Sequence, residues 1–117
     1  MEIKEVFSKY GFSLSALQIN QFERYYEFLI SENKKYNLTA ITEKNDVIFK
    51  HFLDSCLAEK NIIKNAKIID IGSGAGFPSI PLKILRPDIK FVLVDSLNKR
   101  VNFLNELIKI LNLQDVV

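Results

Sequence analysis

The chain has 117 residues, a net charge of +2 and 48% apolar residues. That is enough for a packed core of ordinary globular type, and too near neutrality for a strongly basic nucleic-acid-binding tail. A single cysteine, Cys56, excludes an internal disulfide and a cysteine-based zinc site, and no run reaches the roughly 18 apolar residues that mark a membrane span.

The opening Met1-Glu2-Ile3-Lys4-Glu5 alternates charge with apolar residues and lacks the apolar core of a secretory signal. A cytoplasmic location is therefore expected, with the sequon Asn37-Leu38-Thr39 unmodified. Ile3, Val6, Phe7 and Tyr10 recur at helical spacing over residues 2–10, and Gly11 follows where a C-cap belongs. Ser15-Ala16-Leu17-Gln18 has the form of a capping box. It opens a second helix to about Tyr36, with Phe22, Tyr25, Tyr26, Leu29 and Ile30 inward and Glu23, Glu27, Lys34 and Lys35 on the solvated face. Residues 37–42 break the pattern. Thr42 is expected to cap a third helix over about 45–60, in which Val47, Ile48, Phe52, Cys56 and Leu57 recur on one side; Cys56 there reads as core.

After Lys60 the period changes. Residues 67–71 and 89–94 are strand-like, separated by a glycine loop and a helical stretch over 78–85, which together predict a βαβ unit. Ser96 is expected to cap a helix over 97–111 with Val101, Leu104, Leu107, Ile108 and Leu111 inward, and Val116-Val117 to begin a third strand. The class is α/β: a helical region over 1–60, then over 61–117 the start of a domain with a parallel sheet. Two or three parallel strands leave an open edge, so the chain is expected to be the N-terminal part of a longer protein.

The chemistry concentrates in Lys67-Ile68-Ile69-Asp70-Ile71-Gly72-Ser73-Gly74-Ala75-Gly76-Phe77-Pro78. An apolar run suits a buried parallel strand, alternate glycines let backbone N–H groups approach a ligand, and Pro78 is preset for the first turn of a helix. The spacing G-x-G-x-G departs from the dinucleotide fingerprint G-x-G-x-x-G, and the Gly-Lys-Ser/Thr ending of a phosphate loop is missing. NAD and ATP are disfavoured on those grounds. Asp95 ends the second strand 23 positions after Gly72, where an open α/β sheet sets a carboxylate against the two ribose hydroxyls of a nucleoside cofactor. The plainer alternative is that the glycines make only a tight turn and Asp95 only caps the next helix. With Asp70, this pattern resembles that of S-adenosylmethionine-dependent methyltransferases with a Rossmann-like domain.

Three stretches together resemble one family: Asn37-Leu38-Thr39-Ala40-Ile41-Thr42; Lys50-His51-Phe52-Leu53-Asp54-Ser55; and Asp70 through Pro78 continued by Asp95-Ser96-Leu97-Asn98-Lys99-Arg100 and Phe103-Leu104. The family is ribosomal RNA small subunit methyltransferase G, also called glucose-inhibited division protein B, and the resemblance covers nearly the whole chain. It implies methyl transfer from S-adenosyl-L-methionine to N7 of a guanosine in bacterial 16S ribosomal RNA, with the RNA or the assembling small subunit as partner and neither metal nor membrane involved. It also implies that Gly72 and Phe77 contact the cofactor, that Ser73, Gly74, Ala75 and Gly76 form the loop around its methionine part, and that Asp95 holds the ribose. Asp70 either braces the loop or meets the cofactor's amino end. His51 is the one candidate near the chemistry, as a side chain that closes the pocket with Asp54 or approaches the target base, against a purely structural role. Asn37 and Thr39 reach the RNA or serve turn chemistry; Lys99 and Arg100 meet phosphate or form a solvated face. The family more often has glycine where Ser79 stands. Its members also run on beyond Val117, so residues 67–78 are expected to form one wall of a pocket and this chain alone to lack activity. The reading from another class is a non-catalytic nucleoside- or RNA-binding module that kept the fold.

Overall fold

A computed structural model describes residues 2–117. Helix α1, Ile3–Lys9, buries Ile3, Val6 and Phe7. It stops in a full Schellman motif: Phe12 N–H donates to Phe7 O at 3.0 Å, Gly11 N–H donates to Ser8 O at 3.1 Å, and the Phe7 and Phe12 rings meet at 5.9 Å. Tyr10, expected inward, is half-exposed at the helix end, with its ring edge-on to Phe49. Helix α2, Ala16–Tyr36, starts from the expected capping box and ends where Asn37 adopts the left-handed conformation. The Gln18 amide also donates to Ile84 O at 3.1 Å, so the cap that begins α2 ties it to the βαβ unit.

The third helical segment differs in detail from the sequence expectation. It is continuous through α3, Lys44–Asp46, a π-helical stretch, Val47–Leu53, and α4, Asp54–Cys56. Its cap is the Glu43 carboxylate, which accepts from Asp46 N–H, rather than Thr42, whose carbonyl accepts the Tyr26 hydroxyl. The π winding explains the burial: Val47 and Phe52, and likewise Ile48 and Leu53, are five apart and all point inward, as i→i+5 bonding requires. The helix ends at Cys56, short of Lys60, and Leu57 is exposed; a 3-10 turn, Glu59–Asn61, follows.

Strands β1, Lys67–Ile71, and β2, Lys90–Val94, pair in parallel with Ile71 opposite Val94, joined through helix α5, Ser79–Leu85. Pro78 stands at the N-cap of α5 rather than inside its first turn. Helix α6, Asn98–Ile110, buries Phe103, Leu104 and Leu107, while Val101 is exposed. Ser96 does not cap it; the Asp95 carboxylate accepts from Leu97 N–H at 3.0 Å instead. Val116 forms a parallel bridge to Phe91, and Leu93 N–H donates to Val117 O, so β2 is paired on both sides. The other edge of β1 is open, as expected of so short a sheet. On that strand Ile69 and Ile71 are 63% and 82% exposed, so β1 is not the fully buried strand that its apolar run suggested. Nothing among the described residues covers that face.

One apolar core, from Ile3 to Leu111, unites both regions, with Tyr25, Phe22 and Phe52 at its centre. Helix α2 packs against both α5 and α6. The helices of the first 60 residues are thus the floor under the carboxyl ends of the strands, where ligands bind in open α/β sheets.

Candidate functional site

The strand register brings Gly72 level with Asp95, and the loop between β1 and α5 turns there. Gly72 N–H donates to Val94 O at 2.6 Å, Ser73 N–H to the same carbonyl at 3.2 Å, and Gly76 N–H to Ser73 O at 2.8 Å. Gly74 N–H donates to Asp95 Oδ2 at 2.9 Å. The N–H groups of Gly72, Ser73, Gly74 and Gly76, expected to face a ligand, are therefore turned inward and satisfied by Val94, Asp95 and the loop itself. What the glycines contribute is backbone shape. Gly72 has φ +80° with open space where a Cβ would stand, and Gly76 has φ +98° with a Cβ position only 2.8 Å from the Tyr25 hydroxyl and 2.9 Å from Ile80.

Two carboxylates pin the loop. Asp70 Oδ2 accepts the Ser79 hydroxyl, and its main-chain oxygen accepts Ser73 Oγ at 3.1 Å, which ties strand, loop and helix start together. Asp95 accepts one backbone N–H on each oxygen, from Leu97 and Gly74, with Arg100 at 3.7 Å from Oδ2. The bond from Leu97 N–H, then that from Gly74, holds its carboxyl below the usual carboxylate range, against the effect of burial. The Asp95 side chain is only 2% exposed, and the residue lines a cavity of about 280 Å³ with Gly72, Ser96 and Arg100. The open space over Gly72 beside this carboxylate suits the hydroxyls of a ribose.

Beyond the loop, Phe77 is sandwiched in a stack of rings. Its centroid lies 5.6 Å from that of Tyr25 at 22° and 4.2 Å from that of His51 at 10°. Tyr25 is fully buried, and its hydroxyl donates to Ala75 O at 2.6 Å. Burial pushes that phenol well above its ordinary value, so it stays a donor. His51 Nε2 lies 2.9 Å from Thr39 Oγ1, which also accepts Ile41 N–H at 3.1 Å. Burial lowers the His51 pKa, with Asp54 opposing. His51, Asp54 and Phe77 line a second cavity of about 350 Å³, at the end of the loop.

The predicted residues thus gather in one place: Gly72, Ser73, Gly74, Ala75, Gly76 and Phe77 form the loop, Asp95 closes it from one side and His51 covers Phe77 from the other. Asn37 forms the left-handed end of α2, as the turn-chemistry alternative expected. Cys56 is buried with its thiol pushed up to about 12 by burial, a core residue. Sequence reasoning missed Tyr25, which looked like one more apolar position of α2; its polar tip, unlike the Phe at position 22 one turn earlier, was the available signal. It also did not foresee the contact of the Thr39 hydroxyl with the His51 imidazole. Among the described residues no group of His, Cys, Asp and Glu is placed to hold a metal ion, and no helix is long and apolar enough to cross a membrane.

The family model described as rRNA small subunit methyltransferase G matches residues 18–117. Curated proteins named ribosomal RNA small subunit methyltransferase G are similar throughout. The one from Ligilactobacillus salivarius (strain UCC118) is 50% identical over 119 residues, covering 98% of this chain and 49% of that protein. Those from Desulforamulus reducens and Lactococcus lactis subsp. lactis are 53% and 49% identical, over 97% and 98% of this chain and 48% and 50% of theirs. The chain spans about half the length of the curated relatives it matches.

Proposed function

The chain belongs to the rRNA small subunit methyltransferase G family, and from that premise we propose that it serves methyl transfer from S-adenosylmethionine to N7 of a guanosine in small-subunit ribosomal RNA. The observation that carries the cofactor half of this reading is the cavity over Gly72, with the Asp95 carboxylate in its wall at the end of β2. Asp95 takes the two ribose hydroxyls; the loop from Gly72 to Gly76 and the Phe77 ring hold the methionine part. When bound, S-adenosylmethionine supplies a methyl group already activated by its sulfonium.

The residues of this chain then have a modest task. Guanine N7 carries a free lone pair at neutral pH, so no side chain has to remove a proton before transfer. Holding reactants in line at near-attack distance is worth up to about 7–11 kcal/mol in favourable systems. Rigidity is what the loop offers: the Asp70–Ser79 bond closes it across its two ends, Ser73 Oγ ties it to β1 and the Tyr25 hydroxyl ties it to α2. His51 is assigned no proton-transfer role.

The test is labelled-methyl incorporation into purified small subunits by the native full-length protein, with digestion of the RNA to identify the modified nucleoside. Labelled 7-methylguanosine is the expected product. Tight S-adenosylhomocysteine binding without incorporation would favour a nucleoside-binding module instead, and neither binding nor incorporation would overturn the reading.

A further inference from the structure

The second cavity is lined by Lys50, His51, Asp54 and Ser55 with Phe77 and Pro78, and of these only Phe77 has a part in holding the cofactor as described above. Its volume of about 350 Å³ lies within the range of small-molecule sites. Its wall is the end of a stack of rings, Tyr25, Phe77 and His51, that runs outward from the core. The Thr39 hydroxyl accepts Ile41 N–H and lies 2.9 Å from His51 Nε2, a contact that holds the imidazole in place over Phe77. Asp54, three residues on, is exposed and holds neither an ion pair nor a side-chain hydrogen bond among the described residues. Lys50 is 62% exposed, with only a long contact of 3.9 Å to Asp46.

We propose that this cavity seats the target guanine nucleotide, with the base stacked on the His51–Phe77 pair, Asp54 reading its Watson–Crick edge and Lys50 meeting its phosphate. The proposal rests on the methyl-transfer reading above. Unstacked bases in RNA are held by stacking on aromatic or histidine rings and by hydrogen bonds to their exposed edges. Guanine presents N1–H and the exocyclic N2 amino group as adjacent donors, and one carboxylate accepts both; adenine has no such pair. Recognition through that edge leaves N7, on the far side of the purine, unpaired. The Gly72 cavity lies at the start of the glycine loop and this one at Phe77 and Pro78, where the loop ends, so the loop runs between base and cofactor.

The experiment measures methyl transfer to small-subunit RNA by the native full-length protein and its Asp54→Asn variant, with free GMP or AMP as competitor, together with calorimetric affinity for S-adenosylhomocysteine. Asp54→Asn is expected to raise the KM for RNA about 10- to 100-fold, the effect of losing a charge-assisted pair of hydrogen bonds. GMP should inhibit the parent more than AMP does, and the variant should lose that preference while keeping its S-adenosylhomocysteine affinity. Lys50→Ala should raise the inhibition constants of GMP and AMP alike and reduce the salt dependence of RNA binding by about one phosphate contact. An Asp54→Asn variant with unchanged KM and unchanged preference for GMP, or one that loses S-adenosylhomocysteine affinity as well, would overturn the base seat and leave the methyl-transfer reading standing. A parent protein that neither binds S-adenosylhomocysteine nor transfers methyl would overturn that reading itself.

Discussion

The Tyr25 hydroxyl oxygen lies 2.6 Å from Ala75 O and 2.8 Å from the point where a Cβ on Gly76 would stand, so a buried side chain of α2 occupies the room that a larger residue in the loop would need. Gly76→Ala meets both this clash and a left-handed φ, whereas Gly72→Ala meets only the φ. We expect Gly76→Ala to cost about 2–4 kcal/mol and Gly72→Ala about 1–2 kcal/mol. Urea unfolding of the two variants checks this, and equal losses would show that the Tyr25 contact is soft.

Tyr25→Phe keeps the stack with Phe77 and removes only the donor to Ala75 O. A buried carbonyl left unpaired costs about 1–3 kcal/mol. Because the hydroxyl is also what crowds Gly76, the double variant Tyr25→Phe/Gly76→Ala should lose less stability than the two single losses combined. Strict additivity in a double-mutant cycle would contradict the geometry.

How much of this was legible beforehand follows from which residues carry local signals. The capping box at Ser15, the βαβ period and the loop from Gly72 to Gly76 are written in short windows, and the structure shows them where the pattern put them. The π winding of Val47–Leu53 was not legible, because a five-residue repeat of apolar positions also satisfies a loosely drawn α-helical stripe. The Asp95 bond to Gly74 was hidden for another reason: spacing identifies a carboxylate beside the loop but cannot say which donors it already serves. Tyr25 and Thr39 act across long stretches of chain, and no local pattern announces such contacts.

Ser79 differs from the glycine that the family resemblance led us to expect, and its hydroxyl gives Asp70 a partner glycine could not provide. Ser79 is buried at 2% exposure in the first turn of α5. Ser79→Gly should therefore be tolerated in fold but lose about 2–4 kcal/mol, the net value of a hydrogen bond to a charged group together with glycine's backbone entropy. Thermal unfolding reads the loss, and an unchanged midpoint would mean that the Asp70 contact contributes nothing.

His51 is the only histidine of the chain, so one imidazole signal reports the whole titration. Burial depresses its folded pKa below the ordinary 6.5, and Asp54 partly restores it. Lowering the folded pKa means that the unfolded chain takes the proton first, so the associated stability is complete above the ordinary value and falls as pH drops below it. In a proton NMR titration the midpoint should lie below 6.5 in the parent and lower still in Asp54→Asn. A midpoint that rises in that variant would place the carboxylate elsewhere than beside the ring.

Asp95 carries the most demanding prediction, because two roles converge on it. It braces the loop through Gly74 and Leu97 N–H in the structure, and it is proposed to take the cofactor ribose. Asp95→Asn keeps the shape and loses the charge, and the amide can accept through one atom only. S-adenosylhomocysteine affinity should fall by at least about tenfold, in keeping with the loss of a charged hydrogen-bond acceptor. The stability effect has a definite sign. The folded carboxyl is held below its ordinary value, so its contribution is complete above that value, near 4, and is lost as pH falls through the folded value. Parent and Asp95→Asn stabilities should therefore differ at pH 7 and converge on acidification below about pH 4. If affinity holds in Asp95→Asn while stability falls, the carboxylate is a loop brace alone, and the ribose must be held by another group at the ends of the strands.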